Sequence, residues 1–373
     1  MLISTKEFKG VASAILIAVD ENAANLELLA KGDVLRLSVT NREYYVSKLF
    51  HLAEPTDFHA VVDAHVFLGL ISSITSESFD LTAKDGVVFI KAGKSKYKTP
   101  MIYENESLAA LPFITVKNAT VSMNISKEVL QSILNVNSKE LLKVKNIDVN
   151  PLQKLYYIDE TGCFTFTTGA TLNKFALEKP IKLLLNDRVV KLFKLFESDA
   201  TLTYGADASA DGSVQTKVVF STPDTYVAAI VNSDDVLLND VQRPCAATKS
   251  YIEDTYANHL VVSSNELSAA VNRLMQFTKN ALSNQNMRNV PAKVSLSDAE
   301  MTITDNLDNS EAISIEAGSY VDSTYTMIIN LADLKLVLDS CKNEHLTINC
   351  GNHRSIIINR GQITNLLPES RSI

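Results

Sequence analysis

No Cys-x-x-Cys pair occurs among the four cysteines, Cys163, Cys245, Cys341 and Cys350. Neither a zinc ribbon nor a disulfide framework is signalled, and a reducing cytoplasm is the expected setting. Long apolar runs are missing too: the most apolar early stretch, 11–19, is about half of what a bilayer span needs. The opening MLISTKEFKG lacks a basic segment, a long apolar core and a small-residue cleavage site, and does not read as a secretory signal. Glycine and proline are modest at 12 and 9, which excludes collagen-like and low-complexity classes. Basic charge is short as well, with 35 Lys and Arg against 43 Asp and Glu, a net −8. Phosphate affinity comes from Lys and Arg, so any nucleic-acid role must gather its cations locally.

Catalytic signatures are equally scarce. No G-x-S-x-G elbow, HExxH pair or clustered Cys/His ligand set occurs, and His51, His59, His65, His259, His345 and His353 stand apart. Gly93-Lys94-Ser95 imitates the end of a phosphate-binding loop, but Gly86 is two residues too far away and the stretch reads as a hairpin between strands. The acidic pairs Asp20-Glu21, Asp234-Asp235 and Glu253-Asp254 read as solvated loop residues. No cofactor, metal or enzymatic activity is expected.

What the chain does contain is repetition. At 373 residues it has room for two or three domains. A pattern of strand, amphipathic helix and a run of strands recurs six times. The even-numbered copies are clearest. In the first, 61–62 leads to a helix over 64–74 and strands over 78–83, 86–92 and 96–102. In the second, 181–185 leads to a helix over 187–196 and strands over 200–204, 214–220 and 226–231. In the third, 325–329 leads to a helix over 331–341 and strands over 345–350, 354–359 and 362–367. The odd-numbered copies are looser, with helices predicted over 6–19, 127–136 and 265–281. Ser126 and the Ser263-Ser264 pair stand where caps belong. Paired copies predict three domains, 1–115, 116–243 and 244–373, joined near 111–117 and 241–249. Each join holds a proline, Pro112 or Pro244, as linkers often do.

Three stretches then resemble a known family. Val88 through Lys98, with Gly93-Lys94-Ser95 at its turn, resembles the last hairpin of the first domain of the bacterial replicative sliding clamp, the beta clamp. Leu155-Tyr156-Tyr157 through Phe164-Thr165-Phe166-Thr167-Thr168-Gly169 is similar to that family's second-domain stretch. Leu282 through Val290 is similar to its third-domain helix exit. The run from Ile329-Asn330 to Leu366-Leu367-Pro368 matches the closing module, so the resemblance covers nearly the whole chain in order. The family usually has His-Arg after Gly169, where this chain has Ala170-Thr171, and Glu369 through Ile373 extend its usual ending. Such drift suggests a divergent clamp, bacterial or phage-encoded.

The resemblance implies an α+β chain of three tandem clamp domains, each a pair of strand-helix-strands repeats. Helices would face inward and antiparallel sheets outward in a ring closed by two copies head to tail. It implies a non-catalytic processivity factor that encircles double-stranded DNA without reading sequence. Its partners would be the replicative polymerase, a clamp loader and a second copy of itself, with no membrane.

Arg188, Lys191 and Lys194 fall on one helical face opposite Val190, Phe193 and Leu195. With Lys6, Lys9, Lys154, Arg273, Lys279, Arg288 and Lys335 they are the candidate pore cations. Acidic stretches at 207–211, 234–235, 253–254 and 305–311 would form a negative rim. Tyr156 could touch DNA at the pore edge, although one of Tyr156 and Tyr157 is expected in the core because strand side chains alternate.

The resemblance implies a partner-peptide groove from Leu155, Thr167, Gly169, Thr171, Leu172, Pro244, Met287, Asn330, Leu334, Leu366, Leu367 and Pro368. Leu172, Leu334 and Leu366 could equally fill a core. It implies a dimer contact between Phe67, Leu70 and Ile74 and the partner's equivalents of Ala281 and Leu282, of which Leu282 could also be core. Two other readings stay open: an adaptor of the same architecture that does not bind DNA, and an enzyme with its groups on distant loops.

Overall fold

The computed structural model describes residues 1–41, 43–136, 155–166, 169–208, 214–231, 235–281, 290–341 and 343–370, with backbone alone at 235–237 and 278–281. The expected module is present six times in chain order. The first is β1 (Leu2–Ser4), α1 (Thr5–Leu16), β2 (Asn25–Lys31), β3 (Val34–Thr40) and β4 (Tyr44–His51). The second is β5 (Phe58–Asp63), α2 (Ala64–Ser73), β6 (Ser78–Lys84), β7 (Val87–Ala92) and β8 (Ser95–Pro100), followed by the small hairpin β9 (Tyr103–Glu104) and β10 (Ser107–Leu108). The third is β11 (Ala119–Ile125), α3 (Lys127–Asn135), β12 (Leu155–Asp159), β13 (Gly162–Phe166) and β14 (Ala170–Lys174).

The fourth has β15 (Leu183–Asn186), α4 (Asp187–Lys191) with a 3-10 turn (Leu192–Leu195), β16 (Ala200–Ala208), β17 (Val214–Ser221) and β18 (Thr225–Val231). A helix without a counterpart among the described residues, α5 (Asp235–Glu253), comes next. The fifth has β19 (Asn258–Ser263), α6 (Ser264–Ala281), β20 (Pro291–Leu296), β21 (Glu300–Asp305) and β22 (Ser310–Ser314). The sixth has β23 (Thr326–Asn330), α7 (Leu331–Leu338), β24 (His345–Asn352), β25 (Ser355–Arg360) and β26 (Ile363–Pro368).

The chain forms two compact units. The first comprises Met1–Leu134 and Asp187–Ser233. Its antiparallel sheet runs β11-β16-β17-β18-β4-β3-β2-β5, and a second runs β1-β6-β7-β8. Helices α1 and α2 lie side by side, and Phe8 of α1 packs edge-on against Phe50 and Phe79, with ring centroids 5.2 and 5.5 Å away. Asp63 caps α2 by accepting from the Val66 amide at 2.8 Å, which fixes the helix start. Asp85 and Gly86, both at positive φ, close the β6–β7 hairpin as the Asp-Gly pair predicts. Gly93 and Lys94 turn β7 into β8 with Ala92 paired to Ser95, so the phosphate-loop lookalike is a hairpin.

The second unit comprises Asn135–Asn186 and Asp234–Ile373. Its large sheet runs β15-β12-β13-β14-β26-β25-β24-β19, and its small one runs β22-β21-β20-β23. Leu267, Leu274, Leu331 and Leu338 of α6 and α7 share a core with Val294, Ile303, Ile348 and Ile358 from the strands. Gly169 sits where β14 meets β26: a Cβ there would stand 1.8 Å from the Leu366 carbonyl oxygen. Only glycine permits that approach. Both large sheets join strands from either side of an expected boundary, β18 to β4 and β14 to β26. The middle expected domain thus contributes strands to both units.

One expectation fails outright. The stretch 241–249, expected as a proline-marked linker, is the middle of the 19-residue α5, with Pro244 inside it. The reason is an apolar stripe at three- and four-residue spacing: Leu238, Val241, Cys245, Thr248 and Ile252. Val241, Cys245 and Thr248 are buried, and the stripe packs on Tyr157, Phe164, Phe166, Ala170, Leu172 and Leu184. Tertiary burial overrides the proline's penalty here. The stretch 111–117 forms neither helix nor strand.

Candidate functional site

In the first unit the candidate cations lie at the surface. Lys6, Arg188, Lys191 and Lys194 are exposed and Lys9 is half-buried, while Val189, Val190, Leu192, Phe193, Leu195 and Phe196 are buried beneath. The helix predicted over 187–196 tightens to 3-10 after Lys191, as short helix ends often do. Arg188 lies 3.9 Å from Glu43, and Lys191 lies 3.3 Å from Asp187 one turn earlier. Both pairs are exposed and weak. A cavity of about 560 Å³ opens beside them, lined by Asp20, Tyr44, His65, Arg188 and Lys191 among others. The Tyr44 hydroxyl donates to the Ala18 carbonyl oxygen at 2.6 Å, and burial, then the Asp20 carboxylate, pushes its pKa well up.

In the second unit the two candidate cations with described side chains, Arg273 and Lys335, are paired. Arg273 on α6 makes a two-pronged contact to Glu311, Nε to Oε1 at 2.7 Å and Nη2 to Oε2 at 2.6 Å. The hydrogen bonds from Arg273 hold the Glu311 carboxyl below its usual range despite some burial. Lys335 on α7 lies 2.7 Å from Asp339. The expected division into basic lumen and acidic rim is therefore incomplete, because Glu43 and Glu311 come from distant strands and loops to neutralise helix cations. Asp207 and Asp305, expected as rim charge, are both 3% exposed. Asp207 accepts from the Lys117 and Asn118 amides and Asp305 from those of Leu307 and Asn309, so both shape loops. Tyr156 and Tyr157 are both buried, at 4% and 3% exposure, which removes Tyr156 as a DNA contact. The central strands β12–β14 are covered on both faces, so alternation does not bring either ring out. Lys154 and Arg288 lie outside the described residues, as does the side chain of Lys279.

The groove residues gather in the second unit but split in two. Leu155 and Leu172 belong to the cluster beneath α5. Thr171 is buried and accepts from the Asn365 amide group at 2.7 Å. Asn330, Leu334, Leu367 and Pro368 line a separate apolar cleft with Leu267, Met327 and Ile356. Its void of about 20 Å³ holds little more than one water, so an incoming side chain has to widen it. Asn330 caps α7 by accepting from the Ala332 amide and donates to Asp333 at the cleft mouth. Pro368 is exposed and Leu366 half-buried beside Gly169. Pro244 is half-buried on α5. Thr167 and Met287 lie outside the described residues.

Sequence reasoning missed the fastening of α5. Lys249 donates to Asp159 at 2.8 Å and sits over the Phe164 ring, 5.5 Å from its centroid. Burial works against the Asp159 carboxylate, but hydrogen bonds from Lys249 and Thr161 outweigh it and hold its pKa below the ordinary value. At the helix end, Tyr251 stacks on His353 at 4.3 Å, and His353 Nε2 also contacts Asp254.

Of the expected dimer residues, Phe67 and Ile74 are core, at 0% and 4% exposure, and only Leu70 is half-buried. Both core residues fall on the face of the second module's helical stretch that packs inward. Leu282 and the side chain of Ala281 lie outside the described residues. Free strand edges supply another surface. Among the described residues of the first unit, β8 pairs with β7 alone and exposes Lys96, Tyr97 and Lys98. Among those of the second, β22 pairs with β21 alone and carries Glu311.

No protein-family model matches the chain, and no curated protein sequence does. Solved structures do. A DNA polymerase III beta subunit from Thermotoga maritima aligns over 100% of this chain and 99% of its own, with a TM-score of 0.77 at 15% identity. A DNA polymerase III beta-subunit sliding clamp from Pseudomonas aeruginosa, bound to griselimycin, gives 0.77 at 13% identity over 100% and 99%. A Helicobacter pylori beta clamp bound to a DNA ligase peptide gives 0.74 at 14% identity over 99% of each chain. The fold is that of the beta clamp, along the whole chain.

Proposed function

We propose that this chain, having the beta-clamp fold from end to end, is a DNA sliding clamp. Two copies close head to tail into a ring around duplex DNA and tether the replicative polymerase, after a clamp loader opens the ring. In this reading the six modules pair into three domains, 1–115, 116–243 and 244–373, with helices toward the DNA and sheets outward. The role is non-catalytic and belongs in the cytoplasm at replication forks. Among the described residues no helix is long and apolar enough to cross a membrane.

The observation that carries the proposal is the sixfold module itself, matched over its full length to solved clamps. The exposed triad Arg188, Lys191 and Lys194 supports it, since a sliding contact needs cations for phosphates and no reader of base edges. Closure fits the free edges: a basic β8 from one copy can extend a sheet at the β22 edge of the other, with Lys96 and Lys98 near Glu311. The peptide partners belong to the second unit, at the α7 cleft and the surface beneath α5. Mass measurement at micromolar concentration tests closure, with a dimer expected and a monomer counting against it.

An adaptor of the same fold is favoured by two observations. Arg273 and Lys335 are neutralised within their own unit, and α2 has no Lys, Arg, Asp or Glu. Failure to stay on circular DNA with a loader present would select the adaptor.

A further inference from the structure

We propose that Glu43 and Asp187 limit the grip on DNA: their carboxylates compete with phosphates for Arg188 and Lys191 and keep the hold weak enough for sliding. This rests on the sliding-clamp reading. It gives acidic residues of the first unit a task that a uniformly basic lumen leaves out.

The cation face comes with its own counterions. Arg188 Nη1 lies 3.9 Å from Glu43 Oε2, and Lys191 Nζ lies 3.3 Å from Asp187 Oδ2. The two acids arrive by different routes. Asp187 opens α4 one turn before Lys191, whereas Glu43 stands just before β4 in the first module. The backbone of Glu43 is pinned from both sides: its amide donates to Asn41 Oδ1 at 2.7 Å, and its carbonyl oxygen accepts from the Ile230 amide at 2.8 Å. The fold thus delivers this carboxylate to Arg188. Asp20 and Glu21 line the same cavity as Arg188 and Lys191. Asp20 is set in place, with Oδ1 accepting from the Asn22 amide at 2.8 Å and Oδ2 lying 3.2 Å from the Tyr44 hydroxyl. Lys194 differs. It is exposed, and among the described residues no carboxylate stands within ion-pair distance of it.

Both pairs are exposed, so they open readily and do not lock their cations away from a ligand. What persists once a pair opens is the field. A carboxylate about 6 Å from a bound phosphate weakens binding through water by roughly 3-fold. A cation already balanced by a carboxylate also releases fewer small ions when DNA enters, which flattens the salt dependence. A closed ring draws its retention from topology, so phosphate affinity can stay low. A tight grip would slow each step along the duplex.

The test measures binding of the full-length chain to a short linear duplex, which reads the contact of cation and phosphate without retention by a closed circle. Glu43→Gln and Asp187→Asn should each tighten binding about 3-fold and together about 10-fold, with a steeper salt dependence. The gain from Glu43→Gln should vanish in an Arg188→Ala background and survive in Lys194→Ala, a coupling that a merely structural role would not produce. Glu104→Gln, at an exposed site on the β9–β10 hairpin, reports the loss of one negative charge elsewhere. Tightening no greater than that control shows, or a gain that survives Arg188→Ala, overturns the proposal. Should Asp187→Asn disturb the start of α4, Glu43→Gln decides alone. A chain that shows these couplings but is never retained on circular DNA loses the clamp reading and keeps the competition. A chain retained on circles whose variants bind unchanged does the reverse, and a wild type that binds no duplex overturns both.

Discussion

The two units build the same module and finish it differently. In the first, the join at 111–117 lays Phe113 on Tyr226, rings stacked 5.3 Å apart, over the seam where β18 meets β4. In the second, the seam where β14 meets β26 lies beside a sheet face covered by the whole helix α5. The cations differ in parallel. Lys194 stands on an exposed face with Arg188 and Lys191, which meet Glu43 and Asp187 only at 3.9 and 3.3 Å, whereas Glu311 and Asp339 hold Arg273 and Lys335 at 2.6 and 2.7 Å. In the proposed reading, phosphate contact is concentrated in the first unit and protein contact in the second.

The seams give the largest expected effect. Gly169→Val drives a side chain into the Leu366 carbonyl, at a Cβ separation of 1.8 Å, and should cost on the order of 4 kcal/mol or more by urea unfolding. A loss under about 1 kcal/mol would show that β14 and β26 part easily. Charge comes next. Reversing Arg188, Lys191 and Lys194 to glutamate should cut retention on DNA at least about 10-fold and flatten its salt dependence, with the unfolding midpoint unmoved. The same reversal at Arg273 and Lys335 should do clearly less. Equal losses would erase the contrast between the units. At the first seam Phe113, 57% exposed, contributes through its stacked ring, and Phe113→Ala should cost about 1 kcal/mol.

The smallest effect is in acid. Folding lowers the Asp159 pKa through Lys249 and Thr161. The stability this adds is complete above the ordinary aspartate value of about 3.9 and is lost as pH falls through the lowered folded value. Amide hydrogen exchange at α5 should therefore quicken below about pH 4, while the seam under Phe113 should show no matching change. Asp159→Asn should remove that pH dependence.

Much of this fold was legible because its signals are local. The Asp85-Gly86 turn, the alternation in β6 and β7 and the stripe of the second module's helix all act within a few residues, and those elements fall within one or two residues of expectation. The α5 signal is equally local, but Pro244 reads as a break although the stripe from Leu238 to Ile252 runs across it. The site was less legible because its physics is long-range. Glu311 is 38 residues from Arg273, and Asp159 is 90 from Lys249. Nothing in sequence spacing shows that those charges meet, or that Tyr156 and Tyr157 are both covered.

The decisive measurement compares retention on circular and linear DNA of the same sequence, after loading and removal of free protein. A closed ring that slides should persist on the circle and run off the ends once the DNA is cut, a difference of at least about 10-fold that owes nothing to affinity. Equal retention on both forms, or none on either, would contradict it.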